Sequence, residues 1–263
     1  MSPHNPPELF DMELRALRRD RAARNGPEQF LYERAFADCL DRVTLLQRRF
    51  ESALILGCPD PGWPDRVGSL ATNVAACDPG PLLASACGGA IIIEDAWEPP
   101  QASYDLVLAV GTLDTVNDLP RALSLIRYAM RPDGLLLGAM SGGDTLPQLR
   151  SAMRSADATT GLAAPHVHPR IDASALAPLL ANAGFVNPVV DVDRVLVSYP
   201  SLDRLIRDLR AMGATNILRG RGRLVGKAGR AAAAAAFVAA GDGERTVERF
   251  EILHFAAWTA QEG

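Results

Sequence analysis

Ser52-Ala-Leu-Ile-Leu-Gly57 runs directly into Cys58-Pro-Asp-Pro-Gly62-Trp63. The first six residues are a short apolar run stopped by glycine, the pattern of a strand buried on both faces. Working outward, Ala71–Cys77, Ala90–Glu94, Tyr104–Val110 and Leu135–Met140 repeat it, each bounded by turn residues. Pro120–Met130 has helical spacing and ends at Arg131-Pro-Asp-Gly134, a turn sequence. Strand, helix, turn and strand in succession specify a parallel crossover. Val189–Val197 alternates as a sixth strand, and Thr246–Trp258 closes the series as the antiparallel partner. The fold class is therefore α/β, a doubly wound and mostly parallel sheet.

The remaining segments read as helices. Residues 10–24 and 28–49 form a helical segment over 1–50, broken at Gly26-Pro27, that packs on a domain spanning 51–263. Helices over 146–158, 172–183, 201–213 and 226–240 follow, with cap or insertion elements near 146–170 and 200–225 on the substrate side. The chain has 263 residues, within the size of one large domain, since single cores stop growing at roughly 250–300 residues. A net charge of −4 argues against general nucleic-acid affinity. The arginines near the start (Arg15, Arg18, Arg19, Arg21, Arg24) and in Arg219-Gly-Arg-Gly-Arg223 are read as solvated faces. Cys39, Cys58, Cys77 and Cys87 lack the spacing of a zinc or redox site, so free thiols in a reducing cytoplasm are expected. No apolar run approaches the roughly 20 residues of a membrane span.

In doubly wound sheets ligands sit beyond the carboxyl ends of the strands, where the strand order reverses. Gly57 and Gly62 allow close backbone approach after the first strand. Asp78 ends the second strand, Glu94 and Asp95 end the third, and Val110 ends the fourth. A carboxylate can accept two ribose hydroxyls or an adenine amino group, so these positions form a candidate nucleoside site, although turns and caps use the same residues.

Val116-Asn-Asp-Leu-Pro-Arg-Ala-Leu123, Arg131-Pro-Asp-Gly-Leu135, Gly138-Ala-Met-Ser-Gly-Gly-Asp-Thr-Leu146 and Leu149-Arg150 closely resemble one branch of the class I S-adenosylmethionine-dependent methyltransferases, whose fold is Rossmann-like. That branch is similar at a distance to malonyl-acyl-carrier-protein methyltransferases. It is nearer to the methyltransferase-like arginine hydroxylase that assists respiratory complex I assembly. Phe10-Asp11, Pro165-His166, Ala183-Gly-Phe185, Asp191-Val-Asp193, Tyr199-Pro200 and Met212-Gly213 with Asn216 extend the resemblance along nearly the whole chain.

The resemblance implies S-adenosylmethionine as cofactor, with Gly57 and Gly62 under its methionine end, Asp78 at the ribose and Asp95 at the adenine. It also implies an acceptor that is a small acid, a carrier-bound thioester or a protein side chain. Against the family pattern, Ile55 replaces an acidic residue, Asp114-Thr115 replaces His-Trp, and Pro59 and Pro61 interrupt the glycine loop. Proline removes a backbone donor and fixes φ, so the loop cannot cradle a ligand in the usual way. Asp60 is the candidate replacement for the missing carboxylate. The alternatives are hydroxylase-like modification and a non-catalytic assembly role.

Arg150, His166, Tyr199 and Asn216 are the candidate acceptor-side residues, Arg150 because its fork can hold a carboxylate. His166 and His168 could move protons near neutral pH or be ordinary loop histidines. No metal site is expected, because His-x-His offers two ligands and no clear third. Asp144-Thr145 is read as a helix cap, and Trp63 and Trp97 either flank an adenine or fill core.

Overall fold

A computed structural model describes residues 8–220 and 225–261. The Arg221–Arg223 part of the second arginine-rich stretch lies outside the described residues. Two helices come first, α1 (Met12–Arg24) and α2 (Phe30–Leu45). Then follow β1 (Phe50–Leu56), α3 (Trp63–Gly68), β2 (Ala71–Asp78), α4 (Pro81–Ala86), β3 (Ala90–Ile91), β4 (Tyr104–Val110), α5 (Leu119–Ala129) and β5 (Met130–Ser141). The chain continues with α6 (Pro147–Ala158), α7 (Ala173–Asn182), β6 (Phe185–Tyr199), α8 (Leu202–Ala211), α9 (Lys227–Ala239) and β7 (Thr246–Thr259).

The strands form one sheet in the order β3-β2-β1-β4-β5-β7-β6. β7 runs antiparallel to both its neighbours, and the other pairings are parallel. The order reverses between β1 and β4, which places the ligand cleft beyond their carboxyl ends.

Alternation along the central strands builds two cores at once. Ala53 and Ile55 of β1 join Phe36, Cys39, Trp63 and Val67 on one face. Leu54 and Leu56 meet Leu123, Ile126, Leu176 and Leu180 on the other. Successive side chains point to opposite faces, so a strand covered on both sides reads as an unbroken apolar run. A third core lies under α6, α8 and α9, around Leu149, Leu205 and Phe237.

Several boundaries differ from the sequence reading. α3 and α4 have six residues each, too short for a helical period to register. β3 is only Ala90–Ile91. Arg131-Pro-Asp-Gly134 is not a free turn: it lies inside β5, where the register with β4 shifts and Asp133 adopts φ +54°. Asp144-Thr145 does not cap α6. Leu146 occupies the cap position at φ +62° without a side-chain bond, and Glu248 of β7 accepts from the Gln148 and Leu149 amides at 3.2 and 2.8 Å. Asp144 instead pairs with Arg249 at 2.7 Å. Trp63 is core, stacked on Phe36 at 3.9 Å between ring centres.

Candidate functional site

β1 delivers Gly57 to the cleft floor at φ +81°. A Cβ there would lie 2.2 Å from Thr112 Cγ2, so only glycine fits. The Pro59–Pro61 loop folds on itself: Asp60 Oδ1 accepts from the Gly62 amide at 2.7 Å, and the Pro59 carbonyl accepts from Gln29 Nε2 at 2.7 Å. Asp60 thus closes a turn in its own loop.

Asp78, fully buried at the end of β2, accepts from Arg19 Nε and Nη2 at 2.8 and 2.5 Å, from the Cys58 amide at 2.9 Å and from the Gly80 amide at 2.7 Å. These donors fill the lone-pair sites of a carboxylate. Glu94, equally buried, accepts from Arg15 Nη1 and Nη2 at 2.7 and 2.8 Å, while the same Nη2 also donates to the Thr112 carbonyl. Arg15 and Arg19 are one helical turn apart, so α1 presents both forks from one face. The expectation of a solvated arginine face is corrected here: these two are 4% and 5% exposed. Burial alone would lower the Arg19 pKa, but the Asp78 charge and hydrogen bonds outweigh it and raise it.

α1 is also tied down at its start. Asp11 caps it through the Leu14 amide, Phe10 bridges to Leu218, and Phe10 and Asn117 exchange hydrogen bonds of 2.7 and 3.1 Å. Asp95 Oδ2 accepts from the Asn117 and Asp118 amides at 3.0 and 2.8 Å, which fixes the entry to α5. The acceptor chemistry of Asp78 and Glu94 suits ribose hydroxyls and an adenine amino group. A nucleoside can take them only in exchange for Arg19 and Arg15.

Beyond β4 and β5 the cleft is more open. A cavity of about 60 Å³ is lined by Tyr32, Val110, Gly111, Ser141, Arg170 and Glu251, among others. A second of about 60 Å³ adjoins it at Tyr32, Gly111, Ser141 and Arg170 and reaches Asp114 and His168. A third, about 170 Å³, is lined by His166, His168, Arg170 and Asn216. Tyr32 packs its ring over Gly111, where a Cβ would meet it at 2.3 Å, and its hydroxyl donates to the Met212 carbonyl at 3.1 Å. Burial pushes the Tyr32 phenol up.

Arg170 lines all three cavities. Its Nη1 pairs with Asp114, and among the described residues its buried Nε has no hydrogen-bond partner. Burial pushes the Asp114 carboxyl up, but the Arg170 charge, with His168 and hydrogen bonds from Arg170 and Ser141, holds it below its ordinary value. His168 is pushed down to about 4 by burial and the Arg170 charge. Its Nε2 accepts from the Ile217 amide at 2.9 Å, which requires that nitrogen to be unprotonated.

The sequence-picked acceptor residues separate. Asn216 and His166 line the third cavity, Asn216 bonded to the Pro165 carbonyl at 2.7 Å and His166 to Asp157 at 2.7 Å. Arg150 instead braces its own loop through the carbonyls of Thr145, His168 and Gly143, at 3.3, 3.4 and 3.5 Å. Tyr199 is buried in the third core. Among the described residues no three His, Cys, Asp or Glu side chains converge as a metal site, and no helix is long and apolar enough to cross a membrane.

A methyltransferase-domain family model matches residues 64–188. The rat mitochondrial arginine-hydroxylase NDUFAF5 is 33% identical over 266 residues, covering 95% of this chain and 77% of that protein. The chain belongs to the NDUFAF5 family. The human member is 33% identical over 87% of this chain. A malonyl-[acyl-carrier protein] O-methyltransferase of Xylella fastidiosa is 37% identical, but over 64% of this chain and 57% of its own length. Among solved structures, the N-methyltransferase NodS of Bradyrhizobium japonicum, in complex with S-adenosyl-L-homocysteine, superposes with TM-score 0.52 at 13% identity over 93% of this chain and 98% of its own. It shares the fold.

In this NDUFAF5-family chain, sequence reasoning missed Arg15, Arg19, Tyr32, Arg170 and Glu251. The i,i+4 spacing of Arg15 and Arg19 was the one available signal for the first two. Arg170 and Glu251 lie in a loop and on β7, brought to the cleft only by tertiary structure.

Proposed function

We propose that the chain binds S-adenosylmethionine at the β1–β2–β4 strand ends and serves methyl transfer to an acceptor oxygen seated at Arg170. The single observation that carries this is Arg170: a buried guanidinium facing three cavities, one prong on Asp114 and Nε without a partner. An unmet buried donor costs roughly 1–3 kcal/mol. A carboxylate or carbonyl oxygen of the acceptor would satisfy it. When bound, S-adenosylmethionine supplies a methyl group on a positively charged sulfur. The protein's contribution is placement, so no acid–base triad is required. Tyr32 and Gly111 wall the space between the two halves of the cleft, and α1 yields Asp78 and Glu94 by releasing its arginine forks.

Calorimetry with S-adenosylhomocysteine tests the cofactor half. Asp78→Ala abolishes binding, while Arg15→Gln/Arg19→Gln tightens it. Equal affinity in all three proteins would refute the assignment. Arg170→Met, combined with Asp114→Asn to avoid a stranded carboxylate, tests the acceptor half: acceptor KM rises at least tenfold while S-adenosylhomocysteine affinity holds.

A second reading, hydroxylation of a partner-protein arginine with a role in complex I assembly, is favoured by the 95% coverage against the rat arginine-hydroxylase; it needs molecular oxygen and a two-electron reductant as co-substrates, one oxygen atom entering the arginine and the other leaving as water. Asp114 and Glu251 would then receive the substrate guanidinium. Mass spectrometry of a peptide carrying both arginine and glutamate separates the two, since methylation of the carboxylate adds a methylene and hydroxylation of the arginine an oxygen.

A further inference from the structure

α1 carries arginines on a second face. Arg18 and Arg21, with Arg207 and Arg210 of α8, Asn25, Ala211 and Thr215, line a cleft of about 320 Å³. It is larger than any of the three cavities beside Arg170. Among the described residues no acidic side chain lines it. Among the described residues no carboxylate lies within ion-pair distance of Arg21, Arg207 or Arg210, whereas Arg204, also on α8, is paired with Asp208 at 3.0 Å. Arg21, Arg207 and Arg210 are exposed.

Like charges gathered at one cleft repel, and the arrangement gains when an oxyanion bridges the forks. The chain as a whole is net negative at −4, so this is a local reversal of sign. Its field reaches only about a Debye length, roughly 8 Å at physiological salt, so it selects a ligand that docks directly rather than one steered from afar. The cleft is open and its cations sit on exposed side chains along two helices. Such a layout matches a run of carboxylates on a protein segment better than one enclosed small anion. Thr215 lines this cleft and both cavities that contain His168, so a segment seated here lies at the rim of the acceptor space.

We infer that the α1–α8 arginine cleft is a docking site for an acidic segment of a partner protein. The inference does not depend on methyl transfer or on cofactor binding.

The test is fluorescence anisotropy of a labelled oligoglutamate peptide against the full chain. Binding should occur at low salt, weaken steeply as salt rises, and fall at least tenfold in Arg207→Glu/Arg210→Glu. Both positions are exposed, so the fold should be retained, which circular dichroism checks. Arg121→Glu/Arg230→Glu makes the same change in net charge at exposed positions on α5 and α9 and should bind as the unmodified protein does. Equal loss in both double variants, or no loss in the first, overturns the site. A labelled single-stranded oligonucleotide that binds more tightly than the peptide, with the same dependence on Arg207 and Arg210, assigns the cleft to nucleic acid and overturns the protein segment. Displacement of the peptide by millimolar inorganic phosphate at constant ionic strength does the same in favour of a small anion.

Discussion

At the β1–β2 end of the cleft, Arg19 and Arg15 each close a two-pronged fork on a buried carboxylate, and Asp78 has no acceptor capacity left. At the β4–β5 end, Arg170 meets Asp114 with one prong and keeps a buried Nε that has no partner among the described residues, beside three cavities. The same residue type therefore seals one half of the cleft and leaves the other receptive. Sealing costs little once made, because each buried charge is matched. Removing one partner is expensive, because it strands the other in low dielectric.

That asymmetry can be broken most directly at Arg19. Arg19→Met strands Asp78 and should lower unfolding free energy by on the order of 3–5 kcal/mol in urea titrations, with most of it recovered by adding Asp78→Asn. A loss under about 1 kcal/mol would mean that the seal is not closed in solution. The receptive half has a pH signature. His168 is held near pKa 4 in the fold against an ordinary 6.5, so between those values the unfolded chain takes up a proton that the folded chain refuses. Stability contributed above pH 6.5 is therefore lost as pH falls toward 4, on the order of 3 kcal/mol in all. His168→Gln should flatten that part of a stability-versus-pH curve.

Smaller effects sharpen the contrast. Glu248→Ala removes the long-range cap of α6 beside the acceptor space, and a loss of about 0.5–2 kcal/mol is expected by thermal or urea unfolding. Arg34→Ala breaks the exposed pair with Asp193. It should cost less than about 1 kcal/mol and nothing measurable in high salt. If Arg34→Ala proved as costly as Arg19→Met, burial would not be what distinguishes the sealed forks.

Much of the cleft's floor was legible in the chain. Gly57 marks a backbone crossing that no side chain permits, and Val110 ends a strand beside the reversal of strand order. Asp78 was found as a strand-end acid and Glu94 as a candidate although β3 stops three residues before it, yet their partners were not, since nothing local distinguishes a buried arginine from a solvated one on a charged helix. Arg150 shows the converse: its fork suited a carboxylate, and it went to three backbone carbonyls instead. Asp144-Thr145 had cap chemistry, but Glu248, a hundred residues away on β7, was nearer the amides.

By itself the sequence determined the layering, the strand order's parallel character and the loop that lies at the switch point. Those follow from hydrophobic periodicity and turn chemistry, which act over a few residues. Only the tertiary structure decided which charges meet. The pairing of Arg15 with Glu94 and Arg19 with Asp78 spans 79 and 59 residues. Ion pairs at that separation are chosen by which surfaces the packed elements bring into a common low-dielectric space.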